Sequence, residues 1–267
     1  MYEKPEFLYH YTTVESLALI LKNRTIKFNP LTVLDDSQEE QIEDNTKYCK
    51  YVFISSWTSE KEESIPMWNM YASMESGIRI KLPIYPFKNY MADNKENDLV
   101  EDKSLSTLIP IKQQINDSYY LTSYAQSNIL HKINYTNNIT KLVPKISEIK
   151  DNKISINLGK LGKHKNISWE FQKEWRYILI FSPMGLKEMQ KNTEQLGNAL
   201  HQRFNDIKYS LPFNYFFLPI NTTAFNLMEI TLSPKISDGN KIFVNLLKKE
   251  YNSKMIIHES ELSSKIR

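Results

Sequence analysis

Three short segments carry side chains whose types and spacing suit chemistry. The first is Leu8-Tyr9-His10-Tyr11-Thr12, an aromatic run interrupted by one imidazole. An imidazole near the end of a strand that opens onto a helix stands at a cleft edge, where it binds a ligand, moves a proton or only satisfies its neighbours. The second is Ser55-Ser56-Trp57-Thr58, with paired hydroxyls at the end of an apolar run. Such hydroxyls line a pocket or satisfy local backbone. The third is Trp169-Glu170-Phe171-Gln172-Lys173-Glu174-Trp175-Arg176. Read as a strand, it puts Gln172, Glu174 and Arg176 on one side. An amide, a carboxylate and a guanidinium opposite large aromatics form either a catalytic face or an exposed ion-paired one. Trp68 and Tyr71, three residues apart, share a helix face that either stacks on a flat ring or fills the core.

Other chemistries lack their signatures. The five histidines form no HExxH and no zinc spacing, so no metal is expected. No GxSxG, GxGxxG or GxxxxGK[ST] occurs, which removes the hydrolase elbow, the Rossmann fingerprint and the P-loop. Cys49 is the single cysteine, so there is no disulfide framework, and it reads as a small buried hydrophobe.

The elements that must position these residues follow from local pattern. Phe7 to Tyr11 reads as a strand, and Thr12 or Thr13 caps a helix from Val14 to Asn23 with Leu17, Ile20 and Leu21 on one face. Strands are expected at Thr25 to Phe28, Tyr51 to Trp57 and Ile78 to Leu82. Leu34 to Asp44 reads as an acidic loop leading into a helix. Pro66 to Met74 has helical spacing, with Gly77 ending the helix. Asn89 to Ser104 reads as a surface loop and Thr107 to Lys132 as mixed helix. A strand is expected at Trp175 to Phe181, a helix at Lys187 to Asp206, and an extended piece at Tyr215 to Pro219. A strand at Leu227 to Ser233, a helix at Lys241 to Tyr251 and a last strand at Met255 to His258 close the chain. Strands at both ends and helices between them predict an α+β class in a single domain, 1–267, with a mostly helical, lysine-rich insertion at about 89–165.

Composition agrees with an ordinary globular chain. The 267 residues are 41% hydrophobic and 24% charged, with a net charge of +3. No apolar run reaches the roughly 20 residues that span a bilayer, and no signal peptide is visible, so a cytoplasmic protein with no membrane partner is expected. From Lys132 to Lys165 eight lysines face only Glu148 and Asp151, a basic stretch that is either a solvated face or a contact for a charged macromolecule.

The chain resembles the bacterial family catalogued as domain of unknown function 2971. The matching residues are Leu8-Tyr9-His10-Tyr11-Thr12, Ile26-Lys27-Phe28, Leu34-Asp35-Asp36-Ser37-Gln38-Glu39 and Phe53-Ile54-Ser55. They continue with Met67-Trp68, Tyr71-Ala72, Gly77-Ile78-Arg79-Ile80, Trp169 with Glu174 and Arg176, and Leu227 to Pro234. Asp35-Asp36-Ser37 stands where the family usually has Asn-Asp-Pro.

That family is similar in layout to ADP-ribosyltransferases, which split NAD without a metal. The resemblance implies two packed, twisted antiparallel sheets with flanking helices and a cleft between the sheets. It implies NAD as substrate, with Glu174 catalytic and Gln172 its partner. His10, with Tyr11 and Thr12 beside it, would hold the adenosine-side ribose. Ser55, Ser56 and Trp57 would shape the nicotinamide pocket, Trp68 or Tyr71 would stack on the ring, and Arg176 would complete the site. The acceptor would be a protein, a nucleic acid or water. A bacterial toxin or anti-phage effector, with a cognate antitoxin as a further partner, fits this activity. Two alternatives stand beside it. One is a non-catalytic binding or interaction module, for which Glu174 and Arg176 should close into an ion pair with no open pocket near His10. The other is a metal-independent nuclease or hydrolase using His10 and Glu174 as base and acid.

Overall fold

The computed structural model describes residues 4–44, 47–91, 106–114, 118–123, 125–191 and 195–266. Strand β1, Phe7–Thr13, runs directly into helix α1, Val14–Asn23, because the Thr13 hydroxyl accepts the Ser16 N–H at 3.3 Å and satisfies an orphan donor of the first turn. Val14, Leu17 and Leu21 face the core, and Arg24, in the left-handed region at φ 53°, ends the helix. Strands β2, Thr25–Pro30, β3, Val52–Thr58, and β4, Gly77–Pro83, complete the first third.

Two strand pairs organise the molecule. β1 lies antiparallel to β4 along its whole length, from Phe7 opposite Pro83 to Thr13 opposite Gly77. β3 lies antiparallel to the strand Glu174–Ser182, from Thr58 opposite Glu174 to Val52 opposite Ile180. These pairs meet at one register point, Tyr9 opposite Thr58. Beyond it, His10 and Tyr11 have no backbone partner on β3. Beyond β4 lie Glu229–Leu232, antiparallel, and Ile256–His258, parallel to the latter. β2 flanks β3 and carries Phe216–Pro219 on its far edge. Leu130–Lys132 and Tyr120–Leu121 cover the outer edge of Glu174–Ser182.

The main core gathers Leu8, Ile78, Ile80, Trp57, Tyr177 and the inner faces of α1 and the helix Asp238–Tyr251. A second core, with Tyr48, Tyr51, Ile54, Ile178 and Phe204, packs beside it. Each fully buried Leu, Ile or Phe contributes about 1.5–3 kcal/mol relative to exposure.

The α+β class is observed. Several expectations change. The last strand pairs in parallel, so the sheets are not purely antiparallel. Between 89 and 165 the described residues alternate short strands with helical turns of three or four residues, not the mostly helical insertion expected. Asn89–Met91 are described, but the remainder of the expected loop, 92–104, lies outside the described residues. The helix at 66–74 is one turn followed by a π turn, Trp68–Ala72, and Ser73 at φ 106° ends it, while Gly77 opens β4. Residues 192–194 of the expected helix at 187–206 lie outside the described residues, and helices Leu186–Lys191 and Leu196–Asn205 flank them. Gln172 is not on the late strand. It closes a 3-10 turn, Ile167–Gln172, and the chain reverses at Lys173, φ 43°, before the strand begins at Glu174.

Candidate functional site

Where β1 leaves β3, a side chain replaces the missing ladder bond. Burial lowers the His10 pKa, with the hydrogen bond to Ser56 opposing it, so the ring is neutral at pH 7. His10 Nδ1 lies 2.8 Å from the Ser56 carbonyl. A carbonyl only accepts, so Nδ1 carries the proton and Nε2 is left as an acceptor, without a partner among the described residues. The ring packs on Trp57 with centroids 5.0 Å apart.

The divergence opens a pocket with about 540 Å³ of empty volume. Tyr9, His10, Tyr11, Trp57, Met67 and Tyr71 wall it together with Leu34, and Asp35, Ser56, Glu39, Lys165, Gln172, Glu174 and Arg176 supply its polar lining.

The polar lining is one closed network. Arg176, 1% exposed, donates through Nε to Glu174 Oε1 at 2.6 Å and through Nη2 to Glu174 Oε2 at 3.0 Å. The same guanidinium grips Glu39, with Nη2 at 2.8 Å from Oε1 and Nη1 on Oε2, and Nη1 also reaches the Gly162 carbonyl at 3.2 Å. Lys165, 5% exposed, donates to Gln172 Oε1 at 2.8 Å and to Glu174 Oε2 at 3.3 Å, and lies 3.5 Å from Glu39. Gln172 in turn donates to the Tyr71 hydroxyl. Two carboxylates thus balance two cations, which is how buried charge is tolerated. Burial opposes ionisation of Glu174, but Arg176 and Lys165, with hydrogen bonds from Arg176 and the Ser56 hydroxyl, outweigh it and hold its pKa below the usual carboxylate value. Arg176 is raised further by Glu174 and Glu39 against the effect of burial. Burial, with nearby Asp35 and Glu174, raises the Tyr71 hydroxyl, so it stays protonated.

A carboxylate accepts about four hydrogen bonds. Arg176 twice and Lys165 occupy three of these on Glu174. Glu174 is therefore a fixed negative charge and not a free base. Of the three contacts, that from Lys165 is the longest, and Lys165 keeps other partners if it is displaced.

Of the residues read from sequence, His10, Tyr11, Ser56, Trp57, Tyr71, Gln172, Glu174 and Arg176 converge on this pocket. Three do not line it. Ser55 turns to the other face of β3 and accepts from Trp57 Nε1 at 3.0 Å. Thr12 is buried opposite Ile78 in the β1–β4 ladder. Trp68 is fully buried, donates to Glu63 at 2.9 Å and packs edge-on behind Tyr11 at 4.9 Å. Glu39 and Lys165 belong to the site and were missed as functional residues. Each sits in a stretch of like charges that reads as solvated. The available signal was Arg176 itself, since a guanidinium on a core strand calls for more counter-charge than Glu174 supplies.

Residues 67–177 match the family model described as protein of unknown function (DUF2971). The match takes in Tyr71, Lys165, Gln172, Glu174 and Arg176, whereas His10, Glu39 and Ser56 lie outside it. No curated protein and no solved structure matches the chain. Among the described residues no group of His, Cys, Asp and Glu is placed to hold a metal ion, and no helix is long and apolar enough to cross a membrane.

Proposed function

We propose that the chain is an NAD-consuming, ADP-ribosyltransferase-like enzyme, and that the two strand pairs, which join in one ten-stranded sheet at Tyr9 and Thr58, correspond to the two sheets of such a fold. The observation that carries this reading is Glu174, held by Arg176 and Lys165, in an aromatic-walled pocket at the divergence of β1 and β3. Breaking the nicotinamide–ribose bond leaves positive charge on the sugar, while nicotinamide departs with the bonding electrons as a neutral ring. A fixed carboxylate beside that charge stabilises the transition state more than the ground state. A ribose hydroxyl takes the acceptor position now held by Lys165, and His10 Nε2 accepts a second sugar hydroxyl. Tyr71, Tyr11 and Trp57 offer faces for flat rings. The acceptor then bonds to the ribose carbon and loses its proton to solvent. The lysines between Lys132 and Lys165 favour a charged macromolecular acceptor, protein or nucleic acid.

The closed ion pair of Glu174 favours a second reading. A pocket whose carboxylate is held in an ion pair also suits a module that binds a ligand without turning it over. The open pocket beside the closed ion pair meets only half of what such a module was expected to show. Calorimetric titration with NAD, followed by assay of nicotinamide release, separates the two. Binding with release that Glu174→Gln abolishes supports the enzyme. Binding without release supports the module, and release retained in Glu174→Gln removes Glu174 from the chemistry.

A further inference from the structure

Tyr9 lines a second cavity as well, with about 770 Å³ of empty volume against β4 and the strand Glu229–Leu232. Arg79, only 8% exposed, lines it. Its guanidinium lies over the rings of Tyr9 and Tyr11, 4.8 and 5.9 Å from their centroids. Its hydrogen bonds go to neutral oxygens: Nη1 to the Lys61 carbonyl at 2.8 Å and Nη2 to the Thr231 hydroxyl at 3.4 Å. Nε is buried with no partner, and no carboxylate among the described residues lies within ion-pair distance. Arg176 shows the contrast, for it is also buried and grips two carboxylates.

The acidic residues around the cavity do not fill the gap. Glu63 accepts from Trp68, Ser260 and the Glu261 N–H. Glu229 is held by Lys81 and His258, and Glu259 by Lys241. Glu62 and Glu261 are exposed, as is the Lys61 side chain. A buried guanidinium without a counter-ion is uncommon because its desolvation is uncompensated. Its planar fork fits the two oxygens of a carboxylate or phosphate.

We propose that Arg79, with Lys61 at the rim, is an oxyanion-binding site that takes the phosphate or carboxylate group of a small ligand. The aromatic faces of Tyr9 and Tyr11 hold the guanidinium flat, and the ligand oxyanion supplies the missing charge. This site is independent of the reading of the Glu174 pocket.

The test follows the Arg79 side-chain Nε–H signal by NMR during titration with inorganic phosphate, acetate and chloride at matched ionic strength. Arg79→Lys identifies the signal by its loss. Should that variant not fold, contacts to the Tyr9 and Tyr11 rings identify it. The expected result is a saturable shift with phosphate, acetate or both, absent with chloride, and at least threefold weaker in Lys61→Ala. Phosphate alone or acetate alone names the group. No saturable shift, or the same shift with chloride, overturns the proposal. Glu174→Gln should leave the phosphate response intact whatever the NAD assay shows.

Discussion

At the residue scale, the site turns on one guanidinium shared by two carboxylates. Arg176 binds Glu174, two residues away on its own strand, and Glu39, far earlier in the chain. Removing one partner from a buried pair leaves uncompensated charge, which costs about 3–5 kcal/mol. Glu39→Gln should therefore destabilise the protein by about that amount, read as a lower urea midpoint. An unchanged midpoint would mean that Glu39 is not needed to neutralise Arg176. His10 makes a different claim. Its Nε2 is an acceptor without a partner among the described residues, and losing one ligand hydrogen bond costs about 1 kcal/mol. His10→Ala should weaken NAD binding by about fivefold to tenfold in a calorimetric titration, and equal affinity would remove the ring from the ligand's contacts.

At the scale of elements, positions depend on short connections. Gly162 lies between a 3-10 turn and the strand His164–Asn166, at φ 69°. A Cβ there would stand 2.8 Å from Ile54 Cδ1, and the Gly162 carbonyl accepts from Arg176. Gly162→Ala should cost about 1–3 kcal/mol through backbone strain and crowding, measurable by urea unfolding. A variant as stable as the parent would show that the turn relaxes freely. The same scale explains what the sequence made legible. β1, α1, β3 and β4 were readable because apolar period and capping act within a few residues. The Thr13 cap and the alternation through Ile78 and Ile80 are local facts. Gln172 was misplaced because the left-handed Lys173 leaves no mark in a pattern that alternates like a strand. Glu39 and Lys165 were passed over because their burial is decided by Arg176, which comes from elsewhere in the chain. Ser55 and Ser56 could not be told apart until register with Glu174–Ser182 put Ser56 opposite Arg176.

At the scale of the whole molecule, partly buried histidines tie stability to pH. Burial, with Lys163 nearby, lowers His131 to about 4, and burial also lowers His10 and His164. An unfolded histidine titrates near about 6.5. Below that value the unfolded chain binds protons that the folded one refuses, so stability falls as pH drops. Glu174 acts in the same direction at lower pH. Its depressed pKa contributes stability above the unfolded carboxylate range, lost as pH falls through the folded value. The urea midpoint should fall steadily from pH 7 to pH 4, and His131→Gln should flatten the upper part. A level profile down to pH 4.5 would show that these rings titrate freely when folded.

The pocket unites these scales, since β1 and β3 diverge, His10 spans the gap and Arg176 fixes Glu174 within it. The most direct measurement is the time course of nicotinamide release from NAD by the purified protein, beside Glu174→Gln at a temperature where both are folded by circular dichroism. The account predicts release by the parent and at least a hundredfold loss in the variant, about 2.7 kcal/mol of transition-state stabilisation. Equal rates in the two proteins would contradict it.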